Sequence, residues 1–233
     1  GTLKYRAMAP AICAAFSASW LSARLGLSAE GYAIRMLLPF SIETFWLPLL
    51  MMGLAFGLAG GLFAWGLRRV RKTVTDRFPD PFRRILILGT VLACLMILTG
   101  GRYAGSGAAL IAAPFAGDPM YAWDFLLKAG FTILSLSAGF VGGEVTPLFA
   151  IGVSLGTVIG PLFGLDPMLS AALGFAAVFG SGTNTFLSPV MIGMEVFGFQ
   201  WFPFFFVVCA VSYLVNRDQS IYSLQSRYGL HDV

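Results

Sequence analysis

Gly142-Gly143-Glu144-Val145-Thr146-Pro147-Leu148-Phe149 is the stretch that decides the fold. It joins two long apolar runs, and it sets a carboxylate, a hydroxyl, two glycines and a proline where hydrocarbon would be expected. An ionisable residue is costly inside a bilayer, so one that is kept there points to function. Glycines ahead of a proline at a helix start allow a broken helix. The free N–H groups and positive dipole end of such a start can hold an anion. The stretch points to an ion pathway rather than to a soluble enzyme.

The rest of the chain supports a bilayer setting. Of its 233 residues 58% are hydrophobic and 11% charged, and the mean hydropathy is +0.81. A soluble domain carries about 25% charged residues. Thr44 to Leu67, Val145 to Leu165, Pro167 to Met194 and Val196 to Asn216 hold no charge at all. Each matches or exceeds the roughly 20 residues that span a bilayer as a helix. Continuous runs rich in Ala and Gly do not fit the alternating strands of about 10 residues in a membrane barrel.

The net charge of +4 is unevenly placed. Seven of the fifteen basic residues lie between Arg68 and Arg84, opposed only by Asp76 and Asp80. Such a run between two spans reads as a cytoplasmic loop, in preference to a lipid-headgroup or nucleic-acid site. Cys13, Cys94 and Cys209 sit singly in apolar runs and read as small core residues. The sole histidine is His231, three residues from the end. A His-dependent triad or a His-ligated metal site inside the membrane is not expected. The chain begins with Gly and enters an apolar segment at once, without a signal-peptide pattern. It is expected to be the later portion of a longer protein.

Apolar runs and breakers predict an all-α chain of about ten helical segments. They are Leu3 to Leu25, about Glu43 to Thr75, Phe82 to Leu98, a short run from Gly105 to Phe115, and Tyr121 to Ala138. Val145 to Phe163, Met168 to Phe179, Ser188 to Phe197, Trp201 to Asn216 and an amphipathic tail from Asp218 to Tyr228 complete the set. Ser28 to Ser41 reads as a loop. The second segment is longer than a bilayer needs, so it is expected to tilt and to carry its basic end into water.

Short segments interrupted by Gly and Pro fit helices that stop part-way through a membrane, which is allowed where they line a cavity or are buried in protein. Transporters with inverted repeats bind ions between such half-helices. A plain bundle with glycine-assisted packing is the competing reading of the same pattern.

Polar breaks fall at Gly139 to Pro147, Gly180 to Pro189 and Asp218 to Ser223. Anions need donors, and N–H groups and hydroxyls supply them. Thr146, Thr183, Thr185, Ser188 and Tyr222 offer side-chain donors. Glu144 and Glu195 read as the only acids within long apolar stretches, and no acidic cluster suggests a cation site. Either acid would carry protons if burial favoured its neutral form. Glu195 reads rather as an exposed acid near a helix end.

These residues carry a resemblance. Gly143-Glu144-Val145-Thr146-Pro147 with the helix from Leu148 resembles the Gly-x-Phe-x-Pro motif and pore helix of CLC-type anion channels and transporters. Gly105-Ser106-Gly107 resembles the opening of an earlier short helix of that family. Gly182-Thr183-Asn184-Thr185 through Met194-Glu195 resembles the two short helices before its last span. Ser220-Ile221-Tyr222-Ser223 resembles its final segment, whose tyrosine hydroxyl donates to the central anion. The likeness covers most of the chain and follows the family's order in its second half. Val145 stands where the chloride-type motif has Phe, and Gly-Gly-Glu-Val-Thr-Pro-Leu-Phe looks like the fluoride-selective branch.

The resemblance implies a polytopic membrane protein of tilted and broken helices, half of an inverted-repeat architecture, in a bacterial inner membrane. It implies that Gly143, Glu144, Val145 and Thr146 present donors to a small inorganic anion, and that Tyr222 closes the pathway from the cytoplasmic side. Gly142 and Pro147 would permit the helix break. The anion would be fluoride, exported in exchange for protons, with a chloride channel or chloride/proton exchanger as the alternative. A homodimer with one pore per subunit is implied. Met191, Met194, Phe197 and part of Trp201 to Val208 are the expected contact, with lipid exposure as the competing reading. No cofactor, metal or nucleic-acid partner is implied. The family's first half supplies a gating glutamate in a Gly-Lys/Arg-Glu-Gly-Pro type of motif, and that motif is absent from this sequence. Less favoured alternatives are another inverted-repeat transporter with an organic substrate, an intramembrane enzyme, and a membrane scaffold without transport.

Overall fold

The structure is a computed structural model that describes residues 5–27, 31–34, 46–216 and 218–222, with side chains from residue 9 onward. Among these residues there are nine α-helices and no strand. They are α1 (Tyr5–Arg24), α2 (Trp46–Arg77), α3 (Pro81–Leu98), α4 (Ala108–Ala116), α5 (Asp124–Ala138), α6 (Val145–Ile159), α7 (Pro167–Thr183), α8 (Leu187–Phe197) and α9 (Phe202–Val215). Single 3₁₀ turns follow α6 (Gly160–Phe163) and precede α9 (Phe199–Trp201). The all-α expectation holds. Among the described residues three helices are long and apolar enough to cross a membrane: α2, α3 and α6 with its 3₁₀ extension.

α7 is the centre, with α6, α2, α9 and α8 packed against it. Every residue from Leu169 to Thr183 is buried. A helix apolar all round must be enclosed on all sides, and α7 has no charged residue. Its neighbours approach at backbone distance. A Cβ on Gly152 would stand 2.0 Å from the Gly174 carbonyl oxygen, and one on Gly156 2.1 Å from that of Ser170. Gly53, Gly57 and Gly61 form a similar stripe on α2 against α9. Small residues at four-residue spacing let helices meet where lipid supplies no hydrophobic drive. These glycines serve packing rather than a helix break.

Local signals place the helix ends. Asp80 and Asp166 cap α3 and α7 by accepting from Phe82 N–H and from Met168 and Leu169 N–H. The proline that follows each cap has no N–H to waste. α3 packs on α5 at the periphery, and only Leu92 along it is buried. Arg84, at the basic end of α3, donates Nε–H to the Ala138 carbonyl at 3.3 Å. The end of α5 thus lies beside the basic end of α3.

Several expectations need correction. The break expected at Gly180 to Pro189 is present but narrower: α7 runs through Gly180-Ser181-Gly182-Thr183 to Asn184, whose left-handed backbone (φ 55°) ends the helix, and α8 begins at Leu187. Ser181 Oγ donates to the Gly57 carbonyl of α2 at 2.7 Å, and Thr183 Oγ donates to the Phe179 carbonyl at 2.8 Å. Small polar residues read as a break become a close helix contact once α2 supplies an acceptor. Cys13 and Cys94 are exposed; only Cys209 is a core residue. Phe197 turns inward, against Phe115, Phe175 and Phe205, and Trp201, Phe204, Phe205 and Val208 are buried too. The outer face there is carried by Met191, Phe202 and Phe206. Glu195 is exposed, as expected. Residues 218–222 are not helical. Residues 1–4, 28–30, 35–45, 217 and 223–233 lie outside the described residues, with them Ser223, His231 and most of the expected tail.

Candidate functional site

The break between α5 and α6 opens onto a cavity of about 360 Å³. Gly142, Gly143, Thr146 and Pro147 line one part of it. Tyr103, Gly105, Ser106 and the α5 residues Lys128, Thr132 and Ser135 line the rest with Phe131 and Leu136. Six of the expected site residues, Gly142 to Pro147, thus lie on one short loop and helix start, and four of them, Gly142, Gly143, Thr146 and Pro147, line the cavity.

Glu144 is the N-cap of α6 and makes no side-chain cap. Val145, Thr146 and Pro147 form the first turn. The N–H groups of such a turn have no partner within the helix. Pro147 has none to offer, and Leu148 N–H reaches the Glu144 carbonyl at 3.2 Å. The donors left at this positive helix end are therefore the main-chain N–H groups of Val145 and Thr146, beside the Thr146 hydroxyl. The Glu144 and Val145 side chains are half-buried outside the cavity lining. Val145 packs against the core, and Phe149 stacks on Phe175 of α7 at 3.9 Å between centroids. α6 is thereby held rigidly behind its exposed first turn.

The break expected from Gly139 to Pro147 is present, and the chain turns at its first residue. α5 ends at Gly139, whose φ of 104° supplies the left-handed residue a C-cap favours. Gly142 and Gly143 do not adopt positive φ. A Cβ on Gly143 would meet nothing within 4 Å, and one on Gly142 only Leu136 at 3.8 Å. Packing among the described residues does not demand glycine at either position. What their bare Cα atoms do is leave main chain open at the cavity wall.

Tyr222 is placed apart from this cavity. Residues 220–222 dock on the end of α7: Ile221 N–H donates to the Gly182 carbonyl at 2.9 Å, and Ser220 Oγ donates to that of Thr183 at 3.2 Å. The Tyr222 side chain is 46% exposed and does not line the cavity. Gly182 is nonetheless a shared neighbour, because Leu148 of α6 lies so close that a Cβ on Gly182 would stand 2.7 Å from its Cδ2. The start of α6 and the final described segment meet α7 at the same residue. Thr183 and Thr185 bond each other at 2.7 Å, and Ser188 is exposed at the start of α8. None of these three lines the cavity.

The sequence reading passed over Asp124 and Lys128, although both lie in the run from Tyr121 to Ala138. Their spacing of four, an ordinary helical ion pair on paper, was the available signal. They do not pair. Asp124 is fully buried and accepts from Arg102 Nε (3.1 Å) and Nη2 (2.7 Å), from Tyr103 Oη (2.7 Å) and from Tyr121 N–H (2.9 Å). Lys128, 1% exposed, donates from Nζ to the carbonyls of Tyr103 (3.0 Å) and Gly105 (2.8 Å). The 101–107 loop is held by both side chains and forms the roof of the cavity.

The chain was compared with known proteins. The profile of the voltage gated chloride channel family matches residues 1–217. A chloride/fluoride channel protein of Pseudomonas syringae pv. tomato is 34% identical over 97% of this chain and 51% of its own length. An H+/Cl− exchange transporter of Yersinia pestis bv. Antiqua is 28% identical over 66% of this chain and 35% of its own length. The crystal structure of a CLC-type fluoride/proton antiporter superposes with a TM-score of 0.91 at 48% identity, over 97% of this chain and 57% of that one. A slow cyanobacterial Cl−/H+ antiporter, at 22% identity and a TM-score of 0.63, shares the fold. The chain spans about half the length of the relatives it matches. With its buried apolar helices, its broken α5–α6 junction and a family match over nearly its whole length, the chain belongs to the CLC family of voltage-gated chloride channel proteins and is an integral membrane protein.

Proposed function

We propose that this chain forms the C-terminal half of a CLC-type transporter that moves a small inorganic anion, fluoride in preference to chloride, in exchange for protons. The observation that carries this reading is the first turn of α6. Its free N–H groups and the Thr146 hydroxyl stand at the cavity behind main chain left bare by Gly142 and Gly143. In this reading Gly143, Glu144, Val145 and Thr146 bind the anion chiefly through main chain. Glu144 acts as a donor or proton carrier only when neutral, since its carboxylate would repel an anion. Tyr222, joined to the α6 start through Gly182, closes the pathway from the basic, cytoplasmic side.

Fluoride is favoured because it is small and strongly hydrated, so stripping its water requires close donors of this kind. The names of the fluoride-linked relatives support the choice. Two copies in a bacterial inner membrane, each with its own pathway, complete the reading, with Met191, Met194 and the exposed side of α9 at the contact. A chloride channel or chloride/proton exchanger is the second reading, favoured by the exchanger of Y. pestis.

The test is efflux from liposomes holding the complete protein, with fluoride and chloride measured in parallel and an imposed pH gradient. Fluoride should leave faster and should be driven by inward protons. Chloride efflux that equals or exceeds fluoride efflux would refute the fluoride assignment. Thr146→Ala should slow fluoride efflux, and wild-type rates would remove Thr146 from the pathway.

A further inference from the structure

The outer face of α2 changes character along one stripe. Leu58, Leu62 and Trp65 are 56%, 63% and 56% exposed, and Arg69 and Lys72 continue the same spacing of four and three. That spacing keeps all five on one side of a helix. From Leu58 to Lys72 the helix rises about 21 Å. One leaflet's hydrocarbon is only about 15 Å deep, so the stripe fits a path from acyl chains to headgroups. Trp65 stands at the change, and tryptophan favours the boundary between lipid and water.

Beside the stripe lies a groove of about 660 Å³ between α2 and the end of α9, a size that suits a ligand. Leu58, Leu62, Trp65 and Leu214 give it apolar walls, and Asn216 and Gln219 give it a polar end. Arg68 donates from Nη2 to Gln219 Oε1, so a guanidinium stands at that end too. Asn216 is 3% exposed, and its Oδ1 accepts no hydrogen bond among the described residues. Gly61 leaves the oxygen its place, since a Cβ there would stand 2.8 Å from it. A buried acceptor without a donor is costly, and an occupant that brings a hydroxyl would remove the cost.

Charge is unmet at the same end. Arg68, Arg69, Arg71 and Lys72 are exposed, and none is in an ion pair among the described residues. The neighbouring acids are Asp76, one turn further along α2, and Asp218, which accepts from Asn184 Nδ2 at 2.6 Å. A basic run by itself reads as a topological signal. At the mouth of an apolar groove that holds an unmet acceptor, it also matches a phosphate ester on an acyl chain.

We infer that the α2–α9 groove holds one anionic glycerophospholipid with a hydroxyl-bearing headgroup. An acyl chain lies along Leu58, Leu62 and Leu214, the phosphate meets Arg68 and Arg69, and a headgroup hydroxyl donates to Asn216 Oδ1. The inference does not depend on which ion the protein moves.

The test is tryptophan quenching in phosphatidylcholine liposomes that carry the complete protein and a small fraction of lipid brominated on its acyl chains. The Trp65 signal is the difference between wild type and Trp65→Phe. Brominated phosphatidylglycerol should quench it in preference to brominated phosphatidylcholine, by about fivefold in apparent affinity for each arginine engaged. Joint replacement by Arg68→Gln and Arg69→Gln should abolish the preference, and both side chains are exposed, so the fold should stand. A preference that survives in this variant overturns the inference. Equal quenching by the two lipids overturns it as well, since that is ordinary contact with the bilayer. No quenching by either means that protein covers the groove, the family's first half or a second copy, and this too refutes a lipid site. Brominated phosphatidylmethanol, with the same charge and no headgroup hydroxyl, should bind about fivefold more weakly than phosphatidylglycerol; equal binding removes Asn216 from the site. Inorganic phosphate should leave the preference intact, and its loss on adding phosphate would mark a site for the free ion instead.

Discussion

Gly152→Ala tests whether α6 is positioned by main-chain contact with α7. The added Cβ would stand 2.0 Å from the Gly174 carbonyl oxygen and 2.5 Å from its carbon. A carbon and a carbonyl oxygen approach no closer than about 3.3 Å, so the helices must part locally by roughly 1.3 Å. Nothing at the contact can swing aside, because the obstacle is backbone. The reciprocal position is as tight, a Cβ on Gly174 reaching 2.0 Å from the Gly152 oxygen. Separation would loosen the packing of Leu148, Ile151 and Leu155 against α7, all of them buried. Overpacking costs about 1–3 kcal/mol, and backbone obstruction puts this case near 3. At about 2–4 °C per kcal/mol for a chain of this size, the midpoint of thermal unfolding should drop by roughly 6–12 °C. Thr146 lies six residues from Gly152, about 9 Å along the helix, so anion efflux should fall as well. The assay is loss of the monodisperse peak on heating the purified complete protein, with efflux measured beside it. Gly130→Ala is the control. A Cβ there meets nothing within 4 Å, and alanine gains about 0.5–1 kcal/mol in a helix interior. A Gly152→Ala midpoint within 2 °C of wild type, or an equal drop in Gly130→Ala, would refute the reasoning.

Other outcomes follow from the same structure. Asp124→Ala removes the acceptor for Arg102, Tyr103 and Tyr121 and strands a buried polar cluster; it should cost about 3 kcal/mol, read as a fall in the thermal midpoint, whereas a neutral result would show that the cluster is not structural. Asp166→Ala loses the cap on Met168 and Leu169 and should cost about 1 kcal/mol, a small shift in the same assay that leaves fluoride selectivity unchanged. Tyr222→Phe should leave the unfolding midpoint alone, because the ring is about half exposed and is kept in the variant, and should slow anion exit; unaltered efflux would take the hydroxyl out of the pathway.

The candidate site was only partly legible in the sequence. The break at Gly139 to Pro147 was visible because a carboxylate, glycines and a proline interrupt hydrocarbon, and each of those signals is local. Which glycine turns the chain was not visible. Gly139, Gly142 and Gly143 look alike on paper, and the choice of Gly139 depends on where α5 stops. Lys128 was missed for a related reason. Beside Asp124 at helical spacing it reads as half of a surface pair, until Arg102 from a different segment claims the acid.

Charge-free runs determined the membrane setting and the helical class, since a bilayer leaves the backbone little choice but to bond within itself. Prolines and aspartates determined where α3 and α7 begin, because capping acts over three or four residues. Tertiary structure decided whether polar residues are sites or mortar. Gly180 to Thr183 became continuous helix because α2 brings the Gly57 carbonyl to Ser181. The first turn of α6 remained open because no side chain comes to cap it. Partnership of a buried donor is settled by groups far away in the chain, so it appears only when the helices are in place.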